Sequence, residues 1–182
     1  MVLTPVRPST MHKVRFWDPK PNGNQLPPEL RDSMFRLYRD MEIYFSVRKQ
    51  MVGSGRIEAN WPRTADEWDK SIRDKGRRLF YIYDSTRTVI AIGETFVRPR
   101  SFYHDEVDVR IYVEPLLRGE GLGTTLHGVM DYVTTEQAYL DGTDEAFVFT
   151  AFDPQAFRDD ACLKWLKANN YQRRNDKWVR IV

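Results

Sequence analysis

The chain has a single cysteine, Cys162, so no disulfide can close within it. Its histidines, His12, His104 and His127, stand at no metal-ligand spacing from one another or from Cys162, and no metal is expected. No stretch approaches the roughly 18 apolar residues of a membrane span. Met1 to Pro8 carries neither a long apolar run nor a small-residue cleavage site, so a soluble, cytoplasmic protein is expected. Neither sign of charge dominates: 28 Lys and Arg face 26 Asp and Glu, a net charge of +2. That balance demands no nucleic-acid partner and excludes none. Repeats and low-complexity segments are absent.

What is present suits one domain. At 182 residues the chain can bury roughly two thirds of its unfolded surface. Residues 1–10 are expected to be loose and 11–182 to form a single domain. Val14 to Trp17 reads as a first strand, followed by Pro19, Pro21, Asn22-Gly23, Pro27 and Pro28 as breakers. Pro28 suits the first turn of a helix. Leu30, Met34, Leu37, Tyr38, Met41 and Phe45 keep helical spacing up to about Met51, and Gly53-Ser54-Gly55 stops the run. Thr64 can cap a second helix, from Ala65 to about Asp74, with Asp66 and Glu67 at its positive end. Leu79 to Tyr83 and Thr88 to Val97 read as a hairpin. Val107, Val109, Ile111 and Val113 then alternate with Asp108, Arg110 and Tyr112. A further strand is expected at Ala146 to Thr150, a helix at Phe157 to Asn169, and a final strand at Lys177 to Val182. The order is β-α-α-β-β-β-α-β-α-β.

The segment from Val109 to Leu126 is the most informative. An apolar strand runs into Val113-Glu-Pro115, then Arg118-Gly-Glu-Gly-Leu-Gly123-Thr124, and three glycines open a helix. N–H groups at a helix start have no intrahelical partner, and the helix dipole is positive there. Glycines let such a backbone approach a phosphate closely, and Arg118 adds a fork-shaped cation. The helix itself has one apolar face, Leu122, Leu126, Val129 and Val133, widened by Met130; Asp131, Thr134 and Thr135 are expected opposite. A Walker loop is excluded, because no lysine follows Gly123. A dinucleotide fingerprint is excluded too, because its third glycine would sit one place later.

Arg118-x-x-Gly121-x-Gly123 after a Val-x-Pro turn resembles the motif of the GCN5-related N-acetyltransferase (GNAT) family, and the element order is similar to that of the family fold. The resemblance implies an α/β (α+β) domain with a mixed, mostly antiparallel central sheet flanked by helices. It implies acetyl-coenzyme A as co-substrate, with transfer of the acetyl group to a primary amine by direct attack in a ternary complex. Arg118, Gly119, Glu120, Gly121, Leu122, Gly123 and Thr124 would surround the pyrophosphate, with the Glu120 side chain turned to solvent. Ile111, Tyr112 and Val113 would line a wedge where the strand leaves its neighbour, and one N–H near Val113 would polarise the carbonyl. A carboxylate base is implied near Val107 to Val109. Asp108, Glu106 and, on the preceding strand, Glu94 are the candidates. Many family members carry an acidic tyrosine in the last helix, and here Leu166 holds that place. Either the thiolate leaves unassisted or Tyr112 or Tyr132 serves; Cys162 reads as a small core residue.

The acceptor region of such a fold would be Arg48 to Trp68, with Trp61, Trp68, Glu58, Asp66 and Glu67. Aromatics and carboxylates suit a small cationic amine or a protein amine, unless both tryptophans are core. Two other readings remain. Arg31, Arg36, Arg39, Arg48 and Lys49, with Arg173, Arg174, Lys177 and Arg180, could serve a GNAT-like nucleic-acid base modifier. Leu166 is also compatible with a non-catalytic acyl-coenzyme A-binding domain. A homodimer is allowed.

Overall fold

The computed structural model describes residues 13–19, 25–51, 62–74, 76–98, 104–140, 146–151, 160–174 and 177–181. Strand β1 (Arg15–Trp17) precedes helices α1 (Pro28–Met51) and α2 (Ala65–Asp74). Strands β2 (Arg78–Tyr83), β3 (Val89–Arg98) and β4 (His104–Val113) follow. A 3-10 turn, Pro115–Leu117, leads into α3 (Leu122–Leu140). Then come β5 (Ala146–Ala151), α4 (Asp160–Ala168), β6 (Gln172–Arg174) and β7 (Lys177–Ile181). The strands form one sheet in the order β1-β2-β3-β4-β5-β7-β6. Pairing is antiparallel throughout except between β4 and β5, which are parallel.

Helices cover both faces of the sheet. On one side Met34, Leu37, Tyr38 and Met41 of α1 and Trp68 and Ile72 of α2 pack with Leu79, Val89, Ile92 and Tyr112. On the other, Leu122, Leu126 and Met130 of α3 and Leu166 of α4 pack with Phe80, Ile82, Val107 and Val109. β4 is therefore buried from both faces. Gly93 on β3 makes room for this packing: a Cβ there would lie 2.3 Å from the Met130 sulfur, and the Met130 side chain would have to shift.

Several local expectations change in the fold. Helix α3 buries Leu122, Leu126, Met130 and also Thr134, which spacing had put on the polar side; four-residue steps carry it to the sheet. His127 is buried as well, at 4% exposure. Trp68 is core, at 1% exposure, because Phe35 and Tyr38 pack around it. Strand β6 is additional to the expected order. Thr64 caps α2 as expected: its hydroxyl accepts the Glu67 N–H at 3.2 Å. The expected loose start, His12 and the loop residues Glu58 and Trp61 lie outside the described residues.

Candidate functional site

Three features meet at the end of β4. The first is the turn into α3. Gly119 and Gly121 have φ of +88° and +82°, which only glycine adopts at low cost. Among the described residues no atom lies within 4 Å of where a Cβ on either would sit. The Thr125 N–H bonds Gly121 O at 2.9 Å and closes the first turn. The N–H groups of Leu122, Gly123 and Thr124 precede it and have no intrahelical acceptor.

The second feature is an open strand edge. The parallel ladder of β4 with β5 runs from His104↔Ala146 to Asp108↔Thr150 and stops. β4 continues to Val113, paired only with β3 among the described residues. The Glu114 N–H bonds Ile90 O at 2.9 Å, which sets the alternation. Tyr112 and Arg110 then turn their peptide groups toward β3, whereas Ile111 and Val113 turn theirs toward the open edge. Arg118 agrees with this: its Nε donates to Val113 O at 3.3 Å. Its Nη2 meets the Met41 sulfur at 3.2 Å.

The third feature is Trp165 of α4, whose Nε1 donates to Thr124 Oγ1 at 3.1 Å. A Cβ on Gly123 would lie 3.6 Å from Trp165 Nε1 and 3.8 Å from the γ-methyls of Ile111 and Val113. The helix mouth, the open edge and the indole thus converge within a few ångströms.

The fold that holds this arrangement is shared with solved acetyltransferases. A GNAT-family acetyltransferase from Staphylococcus aureus Mu50 aligns with a TM-score of 0.56, at 8% identity over 93% of this chain and 99% of that one. The GNAT fold is the fold of this chain. An aminoglycoside acetyltransferase from an uncultured soil metagenomic sample aligns with a TM-score of 0.59, at 12% identity over 90% of this chain and 91% of the other. Glucosamine-6-phosphate N-acetyltransferase from Arabidopsis thaliana gives 0.54, at 12% identity over 89% and 94%. No protein-family model and no curated protein matches the sequence.

Within the GNAT fold the predicted residues separate. Ile111, Val113, Gly119, Gly121, Leu122, Gly123 and Thr124 lie around the convergence. Glu120 and Arg118 are exposed beside it. Tyr112 stands apart, with its side chain on the α1 face and its phenol donating to Glu42 Oε1 at 3.2 Å. Burial, then the nearby Glu94 and Glu42, raises its pKa well above the phenol range, so it stays protonated. Tyr132 is 65% exposed on α3. Leu166 is a core residue.

The candidate bases differ in setting. Asp108 sits at the last rung of the β4–β5 ladder, half-buried, on the strand face shared with Arg110 and Tyr112. Glu94 is cross-strand from Arg110, 2% exposed, with one oxygen 2.7 Å from Arg77 Nη1 and the other lacking a hydrogen-bond partner among the described residues. Glu106 shares the β4 backbone, but its side chain lies outside the described residues. The acidic residues of α2 have other tasks: Asp66 bonds Arg31, and Glu67 accepts the Arg63 N–H at 2.7 Å. Arg31, Arg36 and Arg39 each lie within ion-pair reach of a carboxylate. Among the described residues no cluster could hold a metal, and no helix is long and apolar enough to cross a membrane.

The aromatic group behind Trp165 could not be read from the sequence. His127 Nε2 lies 2.9 Å from the Tyr171 hydroxyl, and both rings contact Trp165. Burial, then Arg180, pulls the His127 pKa down to about 4, so the ring is neutral. The two contacts of His127 join residues 38 and 44 positions apart, beyond the reach of any local pattern.

Proposed function

We propose that the chain is an N-acetyltransferase that moves an acetyl group from acetyl-coenzyme A to a primary amine. The observation that carries this reading is that, among the described residues, β4 beyond Asp108 pairs with β3 alone and turns the Val113 N–H away from it, beside a helix mouth that no described atom obstructs. A thioester donor supplies an activated acyl group. Its diphosphate suits the N–H groups of Leu122, Gly123 and Thr124, and the positive-φ glycines leave room for it. Its amide-bearing arm suits the peptide groups of Ile111 and the N–H of Val113, which turn away from β3. The Val113 N–H is then the donor to the developing oxyanion. Asp108, at the fork and half-exposed, keeps the attacking amine neutral and takes its proton. Glu94 is bound to Arg77 and sealed from solvent, so it serves as structural support. With Leu166 in the core, the thiolate leaves without a protein acid; a thiol pKa near 8.5 permits this.

The acceptor is a primary amine on a small cationic molecule or on a protein. Two fold neighbours are acetyltransferases of glucosamine-6-phosphate and of aminoglycosides. Mass spectrometry of an amine panel incubated with acetyl-coenzyme A, with free thiol measured in parallel, tests the reading. Acetylated product with equimolar thiol is expected, and binding without turnover across a broad panel contradicts it. Asp108→Asn should depress the alkaline-rising limb of the pH–rate profile, whereas Glu94→Gln should leave its position unchanged.

A further inference from the structure

We propose that Trp165 is a positioning residue for the coenzyme site, acting through the hydroxyl of Thr124. The inference rests on the acyl-coenzyme A reading above and extends it to a residue that no motif marks. The indole N–H can only donate, so in the 3.1 Å contact Thr124 Oγ1 is the acceptor. The threonine's own proton must therefore point elsewhere. A helical threonine usually returns that proton to the carbonyl four residues back, as Thr135 does to Asp131 O at 2.9 Å. For Thr124 that residue is Glu120, which precedes the helix. Among the described residues the hydroxyl makes no bond besides the one to Trp165. Its proton is left for the mouth, beside the N–H groups of Leu122, Gly123 and Thr124. A diphosphate oxygen accepts and cannot donate, so it fits an O–H that the indole keeps from turning toward Trp165.

The indole is held in place to do this. His127 meets its ring edge-on at 5.3 Å and 83°, and Tyr171 lies at 6.3 Å. His127 and Tyr171 are joined to each other at 2.9 Å and are both buried. The adjoining Leu166 is anchored in the core under α3. Trp165 cannot turn its N–H away without disturbing this group. The orientation of the Thr124 hydroxyl is thus set before any ligand arrives, which lowers the ordering cost of binding.

The test is a double-mutant cycle on coenzyme A binding, read by isothermal titration calorimetry with thermal melts as a folding control. Trp165→Phe keeps an aromatic ring and removes the donor; Thr124→Val removes the hydroxyl. Thr124→Val should raise the Kd for coenzyme A about tenfold, the worth of one hydrogen bond to a charged oxygen, and Trp165→Phe about threefold, the ordering cost alone. The double variant should be no worse than Thr124→Val, and Thr124→Ser should bind like wild type. The same ratios should appear with 3′-dephospho-coenzyme A, which lacks the ribose 3′-phosphate and keeps the diphosphate. Trp165→Phe within twofold of wild type, or penalties that multiply in the double variant, overturns the proposal. If Trp165→Phe fails to fold, the Thr124→Val and Thr124→Ser pair decides: equal affinities overturn it. A wild-type protein that binds no coenzyme A removes the acyl-donor reading along with this one. Tight wild-type binding with indifferent variants removes this one alone.

Discussion

A side chain placed at Gly121 should separate conformational strain from electrostatic exclusion. Gly121 has φ of +82°, and no described atom stands within 4 Å of its missing Cβ. Alanine there meets open space, so its cost is the left-handed conformation alone, about 1–2 kcal/mol. For a domain of this size that is a fall in Tm of roughly 2–8 °C. Gly121→Gln and Gly121→Glu should carry the same strain with nearly the same shape. They differ only in charge beside the helix mouth. At roughly 6 Å and an effective dielectric constant of about 40, each diphosphate charge repels a carboxylate by about 1.4 kcal/mol. Two such charges make the glutamate variant about 100-fold weaker than the glutamine variant for coenzyme A. Calorimetric titration at low and high salt measures the ratio, which should shrink as salt rises. Equal affinities for the glutamine and glutamate variants, with the fold intact, would falsify the placing of the diphosphate at this turn.

The remaining predictions concern buried groups that support the site. His127 is neutral in the fold with its pKa near 4, whereas in the unfolded chain it titrates near 6.5. Between those values the unfolded chain binds the extra proton, so stability should fall as pH drops from 6.5 to 4, by at most about 3 kcal/mol. Urea midpoints for wild type and His127→Gln should diverge across that window; parallel curves refute it. Arg77→Ala strands the Glu94 carboxylate at 2% exposure and should cost about 3–5 kcal/mol, with Arg77→Met/Glu94→Leu much milder. A loss under about 1 kcal/mol for Arg77→Ala contradicts the pairing. Gly93→Ala pushes a methyl to 2.3 Å from the Met130 sulfur and should cost about 1–3 kcal/mol, less when Met130 is also cut to Ala. Strict additivity of the two changes is the outcome that refutes this contact.

These buried groups mark the boundary of what the sequence could disclose. α1 and α2 begin and end where apolar spacing, Pro28 and Thr64 placed them, because those signals act within one or two helical turns. The glycine turn was equally visible, since a left-handed backbone at residues 119 and 121 leaves glycine as the economical choice. Strand β6 was not: Gln172, Arg173 and Arg174 are exposed and polar, and only pairing to β7 makes them a strand. Tyr112, Thr134 and His127 likewise owe their burial to α1, the sheet and Tyr171, all distant in the chain. The α4 contact with Thr124 spans 41 positions.

The open edge of β4 is the strongest case of this limit. Val107, Val109, Ile111 and Val113 alternate without a break across the rung where β5 departs, so periodicity is identical in the paired and unpaired halves. β5 pairs with β4 and β7 together over Val148 to Thr150 and keeps β7 through Ala151↔Trp178, so the fork lies where β5 leaves β4. No residue of β4 encodes that choice. A one-residue slip of β5 along β4 would move the fork from Asp108 and reassign which carboxylate stands beside it. Which carboxylate stands beside the fork therefore follows from the register of two strands more than from the identity of any one residue.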